Sequence, residues 1–205
     1  MVIGVDFDNT ILNYDAAFFY RALELGLISN GQGKHKRELR DQVRLLPDGE
    51  ILWQQLQSYV YTQGMAKAYL IDGVKDFFVS CKQAGIQTYI VSHKTQYASL
   101  APEKINLRQI ALDWMGINGF FKSDVLGLDV SEVYFESTRS EKIGRIKTLG
   151  CTHFIDDLQE VFLESAFPLG VEKILYAPDS QRALGKDIIV LDSWKSIYEY
   201  FFNRV

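Results

Sequence analysis

The stretch VIGVDFDNT, residues 2–10, joins a short apolar run to two carboxylates that lie two residues apart. Val2–Val5 is rich in β-branched residues, as expected for a buried strand, and Asp6 and Asp8 follow it directly. Ligands of open α/β sheets bind beyond the carboxyl ends of the strands, so we expect both carboxylates at a ligand-binding edge. An isolated Asp-x-Asp is more often a turn or a helix cap, so the interpretation depends on the rest of the chain.

Apolar runs alternate with helical patterns along most of the sequence. Further strands are predicted at 88–92, 132–136, 152–157, 173–177 and 188–192. Helices are predicted at 74–85, 140–150, 158–166 and 193–202. Short apolar strands that alternate with helices favour a parallel sheet covered on both faces. We therefore predict an α/β fold, with a Rossmann-like parallel sheet and helices on both of its faces.

A long segment after the first strand interrupts this alternation. Residues 15–71 carry helical patterns and no convincing strand, whereas a crossover between strands normally needs far fewer residues. We interpret this segment as a small α-helical cap domain at 15–71. The Rossmann-like core domain would then consist of residues 1–14 and 72–205.

Composition excludes several classes of protein. The chain has 205 residues, 47% of them hydrophobic, which is enough for a full core and argues against disorder. A formal charge of -4 predicts no general attraction for nucleic acid or an anionic membrane. We find neither a membrane-spanning apolar run nor a signal peptide pattern, and we expect a cytoplasmic protein. Cys81 and Cys151 lack metal-type spacing and are expected to be reduced, buried thiols.

A second acidic pair follows a later predicted strand. Asp156 and Asp157 end the sequence FIDD, so up to four carboxylates, with Asp6 and Asp8, are expected at the same edge of the sheet. Like charges this close cannot all ionise unless a cation compensates them. Because the ligands are oxygens, the expected cation is a hard one such as Mg²⁺.

The combined motifs resemble those of the haloacid dehalogenase superfamily of phosphatases and related hydrolases. The resemblance rests on DFDNT, Ser92 in YIVSHK, Lys142 in RSEKIGRI, and Asp156 and Asp157 in FIDD, in the family's order. It spans nearly the whole chain, and its two acidic motifs are more specific than its Ser and Lys. Relatives that cleave carbon–halogen bonds need no second Asp and no metal, so the presence of Asp8 favours phosphate ester hydrolysis.

The resemblance implies a role for each acidic residue. Asp6 would be the nucleophile that forms an aspartyl phosphate, and Asp8 would be the general acid and base. Mg²⁺ would be held by the Asp6 carboxylate, the Asp8 main-chain carbonyl and Asp156. Asp157 would be a further ligand or would position a metal-bound water.

The resemblance also implies a set of phosphate-binding groups. Ser92 would donate its hydroxyl, Lys142 would supply a positive charge, and the backbone amides of Phe7 and Asp8 would donate two more hydrogen bonds. Thr10 is expected to fix the loop without contacting the substrate.

The lysine assignment depends on the register of its helix. Lys142 lies in the first turn of a predicted helix that Ser140 could cap. In a different register, Arg139 or Lys147 would take its place. His93, next to the predicted phosphate ligand on the second strand, is a weaker candidate because it has no evident partner.

The function implied is Mg²⁺-dependent hydrolysis of a small phosphomonoester, with the cap selecting the substrate. A phosphotransferase or mutase, a 5'-nucleotidase, and a non-catalytic relative that binds a phosphorylated ligand or a protein remain open alternatives. A signalling receiver domain is disfavoured because its acidic pair and its phosphate acceptor come in the reverse order along the chain. The expected partner is a small phosphorylated substrate, with no nucleic acid and no membrane; the oligomeric state is open.

Overall fold

A six-stranded parallel sheet, predicted from the sequence, organises the structure. The strands along the chain are β1 (Val2–Val5), β2 (Leu12–Asn13), β3 (Tyr69–Leu70), β4 (Gln87–His93), β5 (Val133–Glu136), β6 (His153–Asp156), β7 (Glu172–Tyr176) and β8 (Ile188–Leu191). The sheet has the order β5-β4-β1-β6-β7-β8, and β2 pairs with β3 separately. β1 is therefore central, with β4 on one side and β6 on the other.

Helices connect these strands. They are α1 (Asp15–Glu24), α2 (Lys36–Arg44), α3 (Gly49–Val60), α4 (Val74–Gln83), α5 (Leu107–Ile117), α6 (Arg139–Thr148), α7 (Gln159–Phe162) and α8 (Trp194–Phe202). Short 3-10 helices occupy Gln63–Lys67 and Val130–Glu132. The α/β class predicted from the alternation of apolar runs is thereby confirmed.

This computed structural model describes residues 1–29, 35–98, 104–178 and 185–203. The chain forms two units. The first consists of Met1–Ile11, Leu70–Lys94 and Met115–Val205, and the second of Leu12–Tyr69 and Thr95–Trp114. In the described part of the chain, no helix is sufficiently long and apolar to cross a membrane.

Burial holds the central strand of the first unit in place. Ile3 and Val5 of β1 are completely buried. Gly4 lies between them and pairs with Phe154 of β6, whose ring is so close that a Cβ atom at Gly4 would lie 2.5 Å from it. Only glycine fits here without a shift, because real Cβ contacts are not this short.

Aromatic and aliphatic side chains from helices complete the core of the first unit. Ile143 and Ile146 of α6 belong to one apolar cluster with Phe154. Separately, Phe77 of α4 packs against Trp194 of α8, with ring centroids 5.1 Å apart. These contacts fix α6 and α8, the two helices that later contribute to the candidate site. The two thiols, Cys81 and Cys151, are free and buried, as expected.

The second unit is mainly helical and has its own aromatic core. Phe18 of α1 stacks on Trp53 of α3 with centroids 5.1 Å apart, and Tyr14 meets Tyr61 edge to face at 5.1 Å. The unit also takes in residues 95–114, which lie within the range expected for the core domain. A cap function for residues 15–71 stays a prediction, and the expectation of no strand there is corrected by the two-residue strand β3.

One predicted helix was wrong in length, and one helix was not predicted. The helix expected at 158–166 is a single turn, α7, because Phe162 and Phe167 both pack into one cluster, edge to face at 5.4 Å. Five positions apart on a continuous helix, these two rings would point in different directions. The sequence analysis did not predict helix α5.

Candidate active site

Asp6, the first residue after β1, lies beside the end of β6. The Asp6 amide donates to the Ile155 carbonyl at 2.9 Å, which extends the pairing of the two strands by one step. Asn9 then has a positive φ of 59°, and the Ile11 amide returns to the Phe7 carbonyl at 2.9 Å. The chain thus leaves the sheet in a tight turn directly after Asp6.

A buried lysine bridges two of the predicted carboxylates. Lys142 Nζ lies 2.6 Å from Asp6 Oδ1 and 2.6 Å from Asp156 Oδ2. All three residues are buried, and Asp156 has no exposed surface. Charge-assisted hydrogen bonds of this length are among the stronger polar contacts in proteins, so the three side chains hold one another in place.

Helix α6 delivers this lysine through a well-capped first turn. Thr138 Oγ1 accepts a hydrogen bond from the Glu141 amide at 3.1 Å, and the Glu141 carboxylate accepts one from the Thr138 amide at 2.9 Å. This capping box corrects the expectation that Ser140 caps the helix. Of the three cations considered, Lys142 reaches the carboxylates, whereas Arg139 pairs with Glu164 at 2.8 Å.

Burial and the opposite charge nearby have opposing effects on the pKa values of Lys142 and Asp156. Burial by itself would lower the pKa of Lys142, but the attraction of Asp156 and Asp6 outweighs it and raises that pKa above its usual value. Burial raises the pKa of Asp156, and the adjacent Lys142 opposes this rise. Lys142 therefore remains a positive charge among the carboxylates.

A hydrogen-bonded relay orients Asp157. Thr10 Oγ1 accepts from the Asp157 amide at 3.1 Å and donates to Asp157 Oδ1 at 3.3 Å. The Thr10 carbonyl in turn accepts from Trp194 Nε1 at 2.8 Å. Trp194 is completely enclosed in the aromatic core, so the position of Asp157 depends on the C-terminal helix α8. The sequence predicted that Thr10 stabilises the loop, but no signal in it pointed to Trp194.

Three carboxylates lie close enough together to hold a metal ion. One oxygen from each of Asp6, Asp156 and Asp157 lies within 4.8 Å of the other two. A donor set of carboxylate oxygens suits a hard cation such as Mg²⁺, which prefers oxygen ligands and keeps several waters. These residues fit the predicted cation. Among the described residues, the Asp8 carboxylate is not part of this group.

The Asp8 side chain instead meets a second buried lysine. Lys94 Nζ lies 2.8 Å from Asp8 Oδ2, and the Lys94 side chain is only 5% exposed. The sequence analysis missed Lys94. Its position in VSHK, two residues after Ser92 and just beyond an apolar strand, was the signal that could have identified it.

The remaining predicted residues lie on β1 and β4. Val5 pairs with Ile90, so Ser92, two residues further along β4, lies at the same edge of the sheet as Asp6. Ser92 is buried. The Phe7 ring packs edge to face on Phe135 of β5, with centroids 6.2 Å apart, which holds the loop backbone.

His93 contacts a backbone carbonyl at the end of β4. It is exposed, and its Nε2 lies 3.0 Å from the Ser137 carbonyl oxygen. This contact provides the partner that the sequence did not reveal, and it gives His93 a structural role at the end of β4.

No protein-family model matches the sequence. No curated protein matches it either.

Solved structures do resemble the chain along its whole length. A haloacid dehalogenase-like hydrolase from Streptococcus pneumoniae shares 17% identity with a TM-score of 0.61, covering 98% of this chain and 97% of its own. A predicted phosphatase from Clostridium acetobutylicum shares 13% identity with a TM-score of 0.63, covering 98% of both chains. A putative hydrolase of this type from Bacillus subtilis, described as bound to magnesium, shares 17% identity with a TM-score of 0.54 and 98% coverage of both. At these identities the likeness establishes a common fold.

Proposed function

We propose that this chain, which has the haloacid dehalogenase fold, is a Mg²⁺-dependent phosphatase that hydrolyses a small phosphomonoester. The observation that carries the proposal is the convergence of Asp6, Asp156 and Asp157 at the carboxyl ends of β1 and β6, with Lys142 bridging the first two. Carboxylates and a lysine at a sheet edge combine a nucleophile, a cation site and a phosphate ligand.

The cation would be held by Asp6, Asp156 and Asp157, together with the main-chain carbonyl of Asp8. When bound, Mg²⁺ supplies the positive charge that offsets repulsion between an anionic nucleophile and an anionic phosphate. Lys142 contributes a second positive charge that belongs to the chain itself.

In the first step, an Asp6 carboxylate oxygen attacks phosphorus while the bond between phosphorus and the ester oxygen breaks. Protonated Asp8 gives its proton to the departing oxygen, which leaves as an alcohol. Ser92, Lys142 and the backbone amides of Phe7 and Asp8 donate hydrogen bonds to the transferring phosphoryl group.

In the second step, a water molecule attacks the phosphorus of the aspartyl phosphate. The Asp8 carboxylate takes a proton from this water, the bond between phosphorus and the Asp6 oxygen breaks, and inorganic phosphate is released. Asp6 returns as a free carboxylate, and Asp8 holds the proton that goes to the next leaving oxygen. Between turnovers Asp8 loses this proton to water and pairs with Lys94 as a carboxylate.

The proposal is tested by phosphate release from sugar phosphates, nucleotides and an aryl phosphate, with Mg²⁺ and with a chelator. We expect turnover that requires the metal and is abolished in Asp6→Asn. The matched control is Asp124→Asn, an exposed residue outside the site that should keep full activity. Metal-independent turnover, or turnover by Asp6→Asn, would overturn the proposal.

The same assay separates hydrolysis from the alternatives. Release of the alcohol without phosphate, when a hydroxyl acceptor is added, would indicate a phosphotransferase. Preference for nucleoside monophosphates would indicate a 5'-nucleotidase. Mg²⁺ binding without turnover on any substrate would favour a non-catalytic relative. The cap function assigned to residues 15–71 belongs to this proposal, since the preferred substrate would show what that segment selects.

A further inference from the structure

We propose that Lys94 is a positioning residue that keeps the Asp8 carboxylate apart from the metal-binding carboxylates. The inference concerns the division of four neighbouring carboxylates into two sets with different tasks. Its metal-binding part rests on the geometry alone, and its catalytic part rests on the function proposed above.

The contact between Lys94 and Asp8 is close and largely shielded from water. Lys94 Nζ lies 2.8 Å from Asp8 Oδ2, with side-chain exposures of 5% and 18%. A lysine is almost never this buried unless it is paired, because an unpaired ammonium loses its hydration. Asp8 therefore provides a contact that the buried ammonium requires.

The ammonium group is held in place by its surroundings in the first unit. The Lys94 amide donates to the Glu136 carbonyl at 2.9 Å, which ties its backbone to β5. Its Nζ lies 5.9 Å from the centroid of the Phe7 ring, and that ring packs on Phe135 of β5. Lys94 is thus anchored on one strand and reaches the loop that follows another.

Lys94 contacts Asp8, the nearby carboxylate that is not one of the three grouped as metal ligands (the metal group). Asp6, Asp156 and Asp157 place oxygens within 4.8 Å of one another, and Lys142 bridges the first two. In the described part of the chain, Asp8 does not belong to this group, although it lies only two residues after Asp6. Each buried lysine therefore holds a different subset of the carboxylates.

This division has a chemical purpose. Carboxylate ligands strengthen the binding of a hard cation, so a fourth carboxylate would increase its affinity. A carboxylate that binds the cation cannot also carry a proton to and from the substrate. By holding Asp8, Lys94 preserves a carboxylate for proton transfer at the expense of tighter metal binding.

The test is a double-mutant cycle with Lys94→Met and Asp8→Asn, read by calorimetric titration with Mg²⁺ alone. In the Asp8 background, we expect Lys94→Met to tighten Mg²⁺ binding about threefold to tenfold, because the released carboxylate joins the metal group. In the Asp8→Asn background, Lys94→Met should leave the affinity nearly unchanged. Lys94→Arg keeps the positive charge and should stay close to the original affinity.

The cycle separates positioning from a general effect of charge. If Lys94→Met tightens binding equally with Asp8 and with Asn at that position, loss of a nearby positive charge explains the result, and the proposal is wrong. Weaker Mg²⁺ binding in Lys94→Met would also overturn it. Lys122→Met, which removes an exposed lysine of the same unit, measures the effect of charge alone.

A second measurement covers catalysis. On a substrate found in the assay above, Lys94→Met should lower kcat by about tenfold or more while it binds Mg²⁺ more tightly. Damage to the structure would instead lower both kcat and the affinity for Mg²⁺. If Lys94→Met does not fold, Lys94→Gln is used in the same cycle. The calorimetry needs no substrate, so the cycle can succeed even if the phosphatase proposal fails; absence of Mg²⁺ binding by the unmodified protein would overturn both.

Discussion

Lys142 and Asp156 form a buried ion pair in which Nζ lies 2.6 Å from Oδ2, and the same nitrogen lies 2.6 Å from Asp6 Oδ1. The lysine side chain is 2% exposed and the Asp156 side chain is fully buried. One ammonium therefore compensates two carboxylates that would otherwise repel each other across adjacent strands. The stability of the site should depend on it.

We expect Lys142→Met to be strongly destabilising in the absence of metal. Removing one partner of a buried pair leaves uncompensated charge, which typically costs about 3–5 kcal/mol in free energy of unfolding. Mg²⁺ should recover part of this loss, because the cation offsets the same carboxylates. Urea unfolding with and without Mg²⁺ measures both effects. Lys147→Met, on the exposed side of the same helix, is the control and should change stability little.

The relay behind Asp157 should control metal affinity without contacting the metal. Thr10→Val removes the hydroxyl that contacts Asp157, and Trp194→Phe removes the indole donor to the Thr10 carbonyl. Loss of such outer contacts commonly weakens metal binding about 10-fold to 100-fold, and we expect Thr10→Val to show the larger loss. Calorimetric titration with Mg²⁺ checks this. Thr148→Val, at an exposed helical position, should not alter the affinity. Unchanged affinity in Thr10→Val would contradict a role for the relay.

Two glycines of the first unit should respond in opposite ways to substitution by alanine. In Gly4→Ala the new Cβ would lie 2.5 Å from the Phe154 ring, and the strain should cost about 1–3 kcal/mol of stability. In Gly144→Ala, on helix α6, nothing lies within 4 Å of the new Cβ, and we expect a gain of about 0.5–1 kcal/mol. Thermal unfolding of both variants provides the comparison. If Gly4→Ala is no less stable than Gly144→Ala, β1 and the Phe154 ring of β6 can move apart without cost, and the prediction is wrong.

The two thiols should be nearly unreactive in the folded protein. Burial raises the pKa of Cys81 to about 12 and that of Cys151 to about 11, from the usual value of 9.0. Raising a thiol pKa lowers the thiolate fraction at pH 8, so native reaction rates should be about a hundredfold or more below those of the denatured chain. A colorimetric disulfide reagent at pH 8, with and without denaturant, measures this ratio. The native rate should rise as pH increases towards these pKa values, and rapid native labelling at pH 8 would contradict their burial.

Much of the fold was accessible from local patterns. All six strands of the large sheet were predicted, because each is a short apolar run next to a helical pattern, and β1 was placed at Val2–Val5 with the bounds observed. Helix ends were less predictable. The cap of α6 is Thr138 and not Ser140, since Thr138 and Glu141 satisfy each other's backbone groups, and both residues are plausible caps in the sequence.

The sequence by itself determined that carboxylates follow two strands, and the parallel sheet was enough to predict that Asp6 and Asp156 would meet. Only the tertiary structure decided which lysines compensate these carboxylates and which residue the Asp8 side chain contacts. The contact between Lys94 and Asp8 links residues 86 positions apart, and Trp194 reaches Thr10 from the C-terminal helix. Such pairs depend on which side chains share a buried volume after the helices have packed, and neither periodicity nor spacing along the chain contains that information.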